Sequence, residues 1–300
     1  MKSKFLIIIL MFILLIGCSN PLQSPAPTEP LGTTIMRPTS IPTSEKVSIS
    51  PTTIPTVLPP VSPTVLSINQ PSYPTLFKAL DFMDKSKLQQ GDNLYMDLMF
   101  APIGWSKDGK FAYITGIDGS GAGNEEIGFY RWTIQDMVTD KCLWQSEHKL
   151  EKDMPREFID TDDYIARFKW VFDNMTKEYK TDLDKYGISI DTGLQLSTFP
   201  LNYDNSNYKA SLTDFGYEEK YDIPDVISKY KVIVEKDGSP RIFSEYKNKD
   251  DLYLDAQIAG YVKSPYEPRV AVALCRIQRG WEGPPHPIYF SFVGCHLKKF

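Results

Sequence analysis

The chain has 300 residues, 42% of them hydrophobic and 24% charged, with 33 basic and 38 acidic side chains for a net charge of −5. This balance excludes a collagen, a polytopic membrane protein and a fully disordered chain. It also argues against a nucleic-acid partner, which would require a basic footprint.

Lys2 and Lys4 open the chain, and Phe5 to Ile16 are apolar without interruption. That run is shorter than the ~20 residues of a membrane-spanning helix but suits the apolar region of a signal peptide. Leu15-Ile16-Gly17-Cys18 follows. The run resembles the lipobox of bacterial lipoproteins. The resemblance implies cleavage before Cys18, diacylglycerol on its thiol and acylation of its new amine. Two or more acyl chains, each contributing ~0.8 kcal/mol per buried CH₂, give stable attachment to a lipid bilayer. The implied location is the bacterial cell membrane. Ser19 in place of an aspartate points to the outer membrane if the cell is Gram-negative.

Residues 19–75 hold 13 Pro, 10 Thr and 9 Ser. Proline removes amide donors and fixes φ, so helix and central strand are both disfavoured. The segment has too little apolar surface to offset the entropy of ordering. It reads as an extended spacer with a reach of at most ~175 Å. The expected organisation is a signal peptide over 1–17, an anchor and tether over 18–75, and one globular β-rich domain over 76–300.

The last 225 residues carry all five Trp and 14 of the 16 Phe, with 36 acidic and 29 basic residues. They can bury about two-thirds of their unfolded surface. A strand is expected over 93–100 and ends at Pro102-Ile103-Gly104. Trp105 to Lys110 is turn chemistry, with Asp108-Gly109 favouring positive φ. A strand over 111–117 follows, then a loop carrying Gly119, Gly121 and Gly123. Glu126 to Thr133 alternates in part, with Met137 in its continuation, and Cys142–Trp144 closes that hairpin.

The clearest predicted element is a helix. Thr161 is its expected N-cap, with Asp162 and Asp163 in the first turn. Ile165, Phe168, Phe172, Met175, Tyr179, Leu183 and Tyr186 then fall on one face, and Gly187 follows as the C′ residue. One helix of roughly 35–40 Å is expected, packed on a sheet. Further strands are expected near 194–199, 208–215, 228–235, 241–246, 252–262, 269–276 and 287–297. The hairpin-length gaps between them imply antiparallel pairing. Val270 to Leu274 is apolar on both faces, which suits a covered central strand. The fold class is therefore α+β: a mostly antiparallel, sandwich-like or partly open sheet carrying one long amphipathic helix.

Trp105-Ser106-Lys107-Asp108-Gly109-Lys110-Phe111-Ala112-Tyr113 is similar to the strand-turn-strand of propeller blades. No repeat of ~40–45 residues accompanies it, so a propeller is not implied. Asp118-Gly119-Ser120-Gly121 comes next. Later come Leu183, Tyr186, Gly187, Ile188, Gly193 and Leu196, then Arg269 to Val272 and Gly280, Glu282, Gly283 and Pro284. In this order the pieces resemble the DUF2259 family of predicted secreted bacterial proteins of unknown function. The resemblance runs from about residue 100 to 300. Trp281 departs from the pattern, and residues 200–265 show no match. The family name implies no activity.

Once Cys18 is set aside, three cysteines remain. Cys275 and Cys295 fall on neighbouring predicted strands and form the favoured disulfide pair, although a hairpin centred near residue 283 would offset their register. Pairing of Cys142 with either, or three reduced thiols, are the alternatives. No C-x-x-C, H-E-x-x-H or G-x-S-x-G occurs. His148, His286 and His296 read as locally satisfied, with zinc at Cys295, His296 and His286 the sharper alternative. Asp118, Asn124 and Glu126 on the glycine-rich loop form a weak Ca²⁺ candidate, although the EF-hand offsets are wrong. Acidic clusters at Asp160, Asp162 and Asp163, at Asp182 and Asp184, and at Asp250, Asp251 and Asp255 are each a candidate for half of a glycosidase pair, as any acidic surface offers. Tyr203, Tyr208, Tyr217, Tyr221 and Tyr230 lie among polar residues, as at recognition surfaces.

No cofactor is expected from any motif. The reading favoured by sequence is a non-catalytic envelope lipoprotein that binds a protein or glycan, or supports envelope structure. The alternative is an envelope hydrolase of glycan or ester substrates, working through acidic residues. A deep cleft holding two carboxylates would favour the hydrolase, and a shallow aromatic patch the binding module.

Overall fold

Alternating apolar residues in most of the segments after residue 94 produce long strands. In the computed structural model, the described residues form thirteen strands in three sheet layers, with a layer of helices packed outside them. The structure describes residues 72–86, 88, 95–118, 128–149, 154–159, 163–247, 251–280 and 283–299. All belong to one unit, Gln70–Phe300. Cys18, the lipobox and the tether up to residue 71 lie outside the described residues.

The larger sheet runs β11 (Tyr253–Lys263), β12 (Arg269–Gln278), β13 (His286–His296), β2 (Tyr95–Trp105), β3 (Lys110–Asp118), β4 (Gly128–Asp136) and β5 (Lys141–Lys149). Its neighbours are antiparallel except β13 and β2, which run parallel, with His286 opposite Tyr95. Two short strands, β1 (Phe77–Lys78) and β6 (Ser189–Ile190), also pair with β2. The smaller sheet is β10 (Ser239–Lys247), β9 (Ile223–Lys236), β8 (Ser206–Lys220) and β7 (Leu201–Tyr203).

The larger sheet folds over on itself. Phe100 on β2 meets Phe292 on β13 with ring centres 4.8 Å apart, and Tyr113 on β3 meets the same ring at 4.6 Å. These rings, with Trp105, Phe111, Ala271 and Ala273, fill the space between the two halves. Each fully buried aromatic there stabilises the fold by about 2–3 kcal/mol relative to exposure. The other face of β2–β4 carries Ile103, Ile114, Tyr130 and Trp132, covered by helical residues Phe168, Val171, Phe172 and Met175. The outer face of β12 and β13 carries Val270, Val272 and Cys295, covered by Tyr208 and Val234 of the smaller sheet. Val270 to Leu274 are all at most 1% exposed, as expected of a strand covered on both faces.

Several local expectations need correction. Pro102 does not end its strand, and β2 continues to Trp105. Proline is tolerated there because one edge of β2 is divided among short partners. β1 takes Met99 and Phe100 and β6 takes Gly104 and Trp105, so the Pro102 position faces the gap between them. Residues 194–199 form no strand, only an isolated bridge from Ser197 to Tyr261. Tyr73, assigned to the tether from composition, already packs on the body: its hydroxyl donates to Asp173 at 2.9 Å and its ring meets Phe172 at 6.0 Å.

The long helix is not one helix. A single turn, α1 (Arg156–Ile159), is followed by α2 (Tyr164–Glu178) and α3 (Lys180–Lys185), which are separated at Tyr179. The N-cap of α2 is Asp163, not Thr161. Its carboxylate accepts the amides of Ile165 and Ala166, both at 3.0 Å. The apolar face is real for Phe168, Phe172, Met175, Tyr179 and Leu183, all buried, whereas Ile165 is 46% exposed. Gly187 takes φ +68° beyond α3, where the backbone turns to enter β6. No described helix is long and apolar enough to cross a membrane.

A candidate recognition dish on the smaller sheet

The pleat of β8, β9 and β10 sends alternate side chains inward and outward. A bulge in β8 after Thr213, with Asp214 at φ +55°, breaks this alternation next to Phe215. At this point aromatic residues from three strands form a ladder. Phe215 meets Tyr230 at 5.8 Å, and Tyr230 stacks on Tyr246 at 4.9 Å with planes 20° apart. Tyr217 stacks on the outer end of Phe215 and is 56% exposed.

The ladder continues inward to the larger sheet. Tyr246 meets Tyr253 edge-on at 5.6 Å, and the Arg276 guanidinium lies 4.4 Å from the centre of the Tyr253 ring. Such a cation–aromatic contact is worth ~2 kcal/mol when desolvated. The Tyr246 hydroxyl donates to Asp251 at 3.2 Å. Burial, followed by the Asp251 charge, pushes that phenol well above its ordinary range. Burial also pushes the Tyr253 hydroxyl up to about 12, although Arg276 pulls the other way. These phenols therefore stay protonated at neutral pH and act as hydrogen-bonding groups rather than acids.

Above the ladder is a shallow depression of about 440 Å³ with a charged rim. Lys231 lies between Asp214 at 2.7 Å and Glu245 at 3.8 Å, and Lys247 faces Glu245 at 3.8 Å. Its hydrogen bond to Asp214 raises the Lys231 pKa and lowers that of Asp214. The rim therefore alternates in sign rather than presenting one charge. Aromatic floor, polar rim and little depth together make a surface for contact, with no enclosed space for a reacting molecule.

Other residues singled out by sequence are not gathered here. Cys275 and Cys295 are neighbours in strand order but do not form a disulfide. Cys275 stands opposite Phe290 and Cys295 opposite Val270, five positions apart along the ladder, or about 16 Å. They also point to opposite faces of the sheet, Cys275 into the inner core and Cys295 toward the smaller sheet. A bridge requires Cα atoms within ~7 Å. Cys142, Cys275 and Cys295 are all outside any disulfide.

His286 and His296 occupy the two ends of β13. His286 accepts the Gly280 amide at 3.1 Å and His296 accepts the Lys298 amide at 3.3 Å, each a local role. The zinc set is therefore not assembled. Asn124 and Glu126 of the Ca²⁺ candidate lie outside the described residues, and Asp118 ends β3 opposite Gly128. Among the described residues no group of three His, Cys, Asp or Glu converges. Among the described members of the acidic clusters, Asp163 caps α2, Asp184 pairs with Lys180 at 2.6 Å, Asp251 accepts from Tyr246, and Asp255 accepts Ala256 N and Gln257 Nε2.

Of the five clustered tyrosines, Tyr208 and Tyr230 are buried while Tyr217 and Tyr221 are more than half exposed. Sequence reading missed Tyr246 and Arg276. The available signal was an arginine directly continuing the apolar run Val270–Cys275, where a strand covered on both faces must provide a partner for any charge.

Comparison with known proteins found no matching family model, no matching curated protein and no matching solved structure.

Proposed function

We propose that this chain is a lipid-anchored bacterial envelope protein that binds a protein or glycan partner without catalysing a reaction. The lipobox-like Leu15-Ile16-Gly17-Cys18 and the Pro/Ser/Thr-rich run to residue 75 support the anchor and the tether. The observation that carries the binding role is the stacked Phe215–Tyr230–Tyr246 ladder beneath a rim of alternating charge. Rigid aromatics bind at low entropic cost, and alternating charges select a partner by register. The alternation of Asp214, Lys231, Glu245 and Lys247 suits a protein surface more than a neutral polymer.

Two measurements on the full chain test this reading. Labelled palmitate is expected on the wild-type protein and absent from Cys18→Ala, which also leaves the membrane fraction. A photo-crosslinker at position 247 in living cells is expected to give one discrete adduct, lost in Lys231→Glu. An unlabelled wild-type chain overturns the anchor, and a diffuse adduct pattern insensitive to Lys231→Glu overturns the dish.

A further inference from the structure

A second depression, of about 450 Å³, lies between β5 and α2, away from the dish. Trp170, Asn174 and Glu178 stand at i, i+4 and i+8 on α2, which places them on one stripe of the helix. Ser146 and His148 stand at i and i+2 on β5, so both project from one face of that strand. The two rows line the groove from opposite sides.

Local contacts fix the orientation of the groove's side chains. The Trp170 ring meets Phe158 at 6.2 Å and His148 at 5.8 Å, both contacts tilted. Asn174 donates through Nδ2 to the Trp170 carbonyl at 2.8 Å, which leaves its Oδ1 as an acceptor. Ser146 donates its hydroxyl to Tyr179 at 2.9 Å. That hydroxyl proton is therefore committed to a tyrosine and not to His148, so no nucleophile is assembled here.

We infer that this groove binds one neutral pyranose ring, with the C–H face of the sugar on Trp170 and its hydroxyls on Asn174 and Glu178. Sugar hydroxyls donate and accept at once. The groove offers amide and carboxylate acceptors and an aromatic platform. An anion would meet the carboxylate of Glu178. An apolar ligand would desolvate these polar groups without replacing their bonds. The volume lies within the 300–1,000 Å³ range of small-ligand sites. This inference is independent of the dish and of the anchor.

The test uses the full-length protein in a detergent without a sugar headgroup, with glucose and N-acetylglucosamine up to about 50 mM. Saturation-transfer NMR is expected to show contact at the sugar's ring protons, and tryptophan fluorescence to titrate in the millimolar range. Asn174→Ala and Glu178→Gln are each expected to weaken binding about fivefold, the effect of one lost hydrogen bond. Trp170→Ala is expected to abolish binding. If that variant fails to fold, the two milder variants decide. Absence of saturation transfer from both sugars overturns the inference, as does binding that survives Asn174→Ala and Glu178→Gln.

Discussion

The Asp140 carboxylate accepts the Gly294 amide at 2.7 Å, joining the β4–β5 turn to β13 across the fold. Arg269 donates to the Met137 carbonyl at 2.7 Å and Gln135 to the Phe292 carbonyl at 3.0 Å at the same junction. One turn thus clasps the two halves of the folded-over sheet.

This clasp predicts a pH dependence. Burial pushes the Asp140 pKa up to about 6, against the Gly294 hydrogen bond that favours the charged form. The folded state therefore holds a proton that the unfolded chain releases near pH 4. The resulting stabilisation is complete below about pH 4 and is lost as pH rises through about 6. Asp140→Asn keeps an acceptor for Gly294 and tolerates the φ of +58°. Denaturant titrations should show the variant more stable than wild type by about 1–2 kcal/mol at pH 7, discounted for partial solvation, and equal to it at pH 4. A difference that does not vary with pH would rule out the proton linkage.

Gly294 also lacks room for a side chain, since a Cβ there would overlap the Met137 carbonyl. The obstacle is backbone, which cannot swing aside as a side-chain tip does. Gly294→Ala is expected to cost about 3 kcal/mol or more, read as a shift in denaturation midpoint. Gly238→Ala is the comparison: its Cβ meets nothing within 4 Å, so only the φ of +86° penalises it, at about 1 kcal/mol.

The cysteines give a chemical check. Cys275 and Cys295 are buried, and burial pushes the Cys295 thiol up to about 12 and the Cys275 thiol higher still. Maleimide should label only Cys142 on the native protein. After unfolding without reductant, mass spectrometry should show three labels among Cys142, Cys275 and Cys295. Only one label would mean that two of the thiols had been joined.

The α2 cap can be tested singly. Asp163→Ala removes the acceptor for two amides and is expected to destabilise the fold by about 1 kcal/mol, whereas Asp163→Asn should recover most of it. A loss shared equally by both variants would point to the charge of Asp163 rather than its cap.

Most strands were legible because their side chains alternate at the period the pleat demands, and Val270–Leu274 showed its central place by lacking alternation. Tertiary pairing was harder to read. Pro102 marked an end by local rules but lies inside β2, because the gap between β1 and β6 makes no demand on its missing amide. The break at Tyr179 was hidden because its ring stays on the same apolar face, meeting Trp132 at 5.7 Å and Trp144 at 5.0 Å. The dish was legible only in part: Tyr217 and Tyr230 stood out among polar residues, but Phe215, Tyr246 and Arg276 did not. Its floor draws Phe215, Tyr230 and Tyr246 from three strands and Arg276 from another sheet, and nothing in their spacing specifies that meeting. The β5–α2 groove was half visible: Trp170, Asn174 and Glu178 carry helical spacing, but their partner strand does not follow from it.

The place where β1 joins the sheet sets how the body responds to tension. A pull on the chain ahead of residue 72 first strains the Tyr73–Asp173 bond, then the two-residue β1 on Met99 and Phe100. Those contacts yield first, and the Ala79–Phe82 turn behind them is held by the buried Ala79 and Met83 and by the Leu80 amide on Asp97 at 2.8 Å. Force then arrives at β2, an interior strand held by β3 along one edge and by β13 and β6 along the other. Tension there acts as shear across several ladders at once, whereas a pull on an outer strand such as β5 would peel one bond at a time. The fold is thus arranged to give a little at its entry and hold firm behind it.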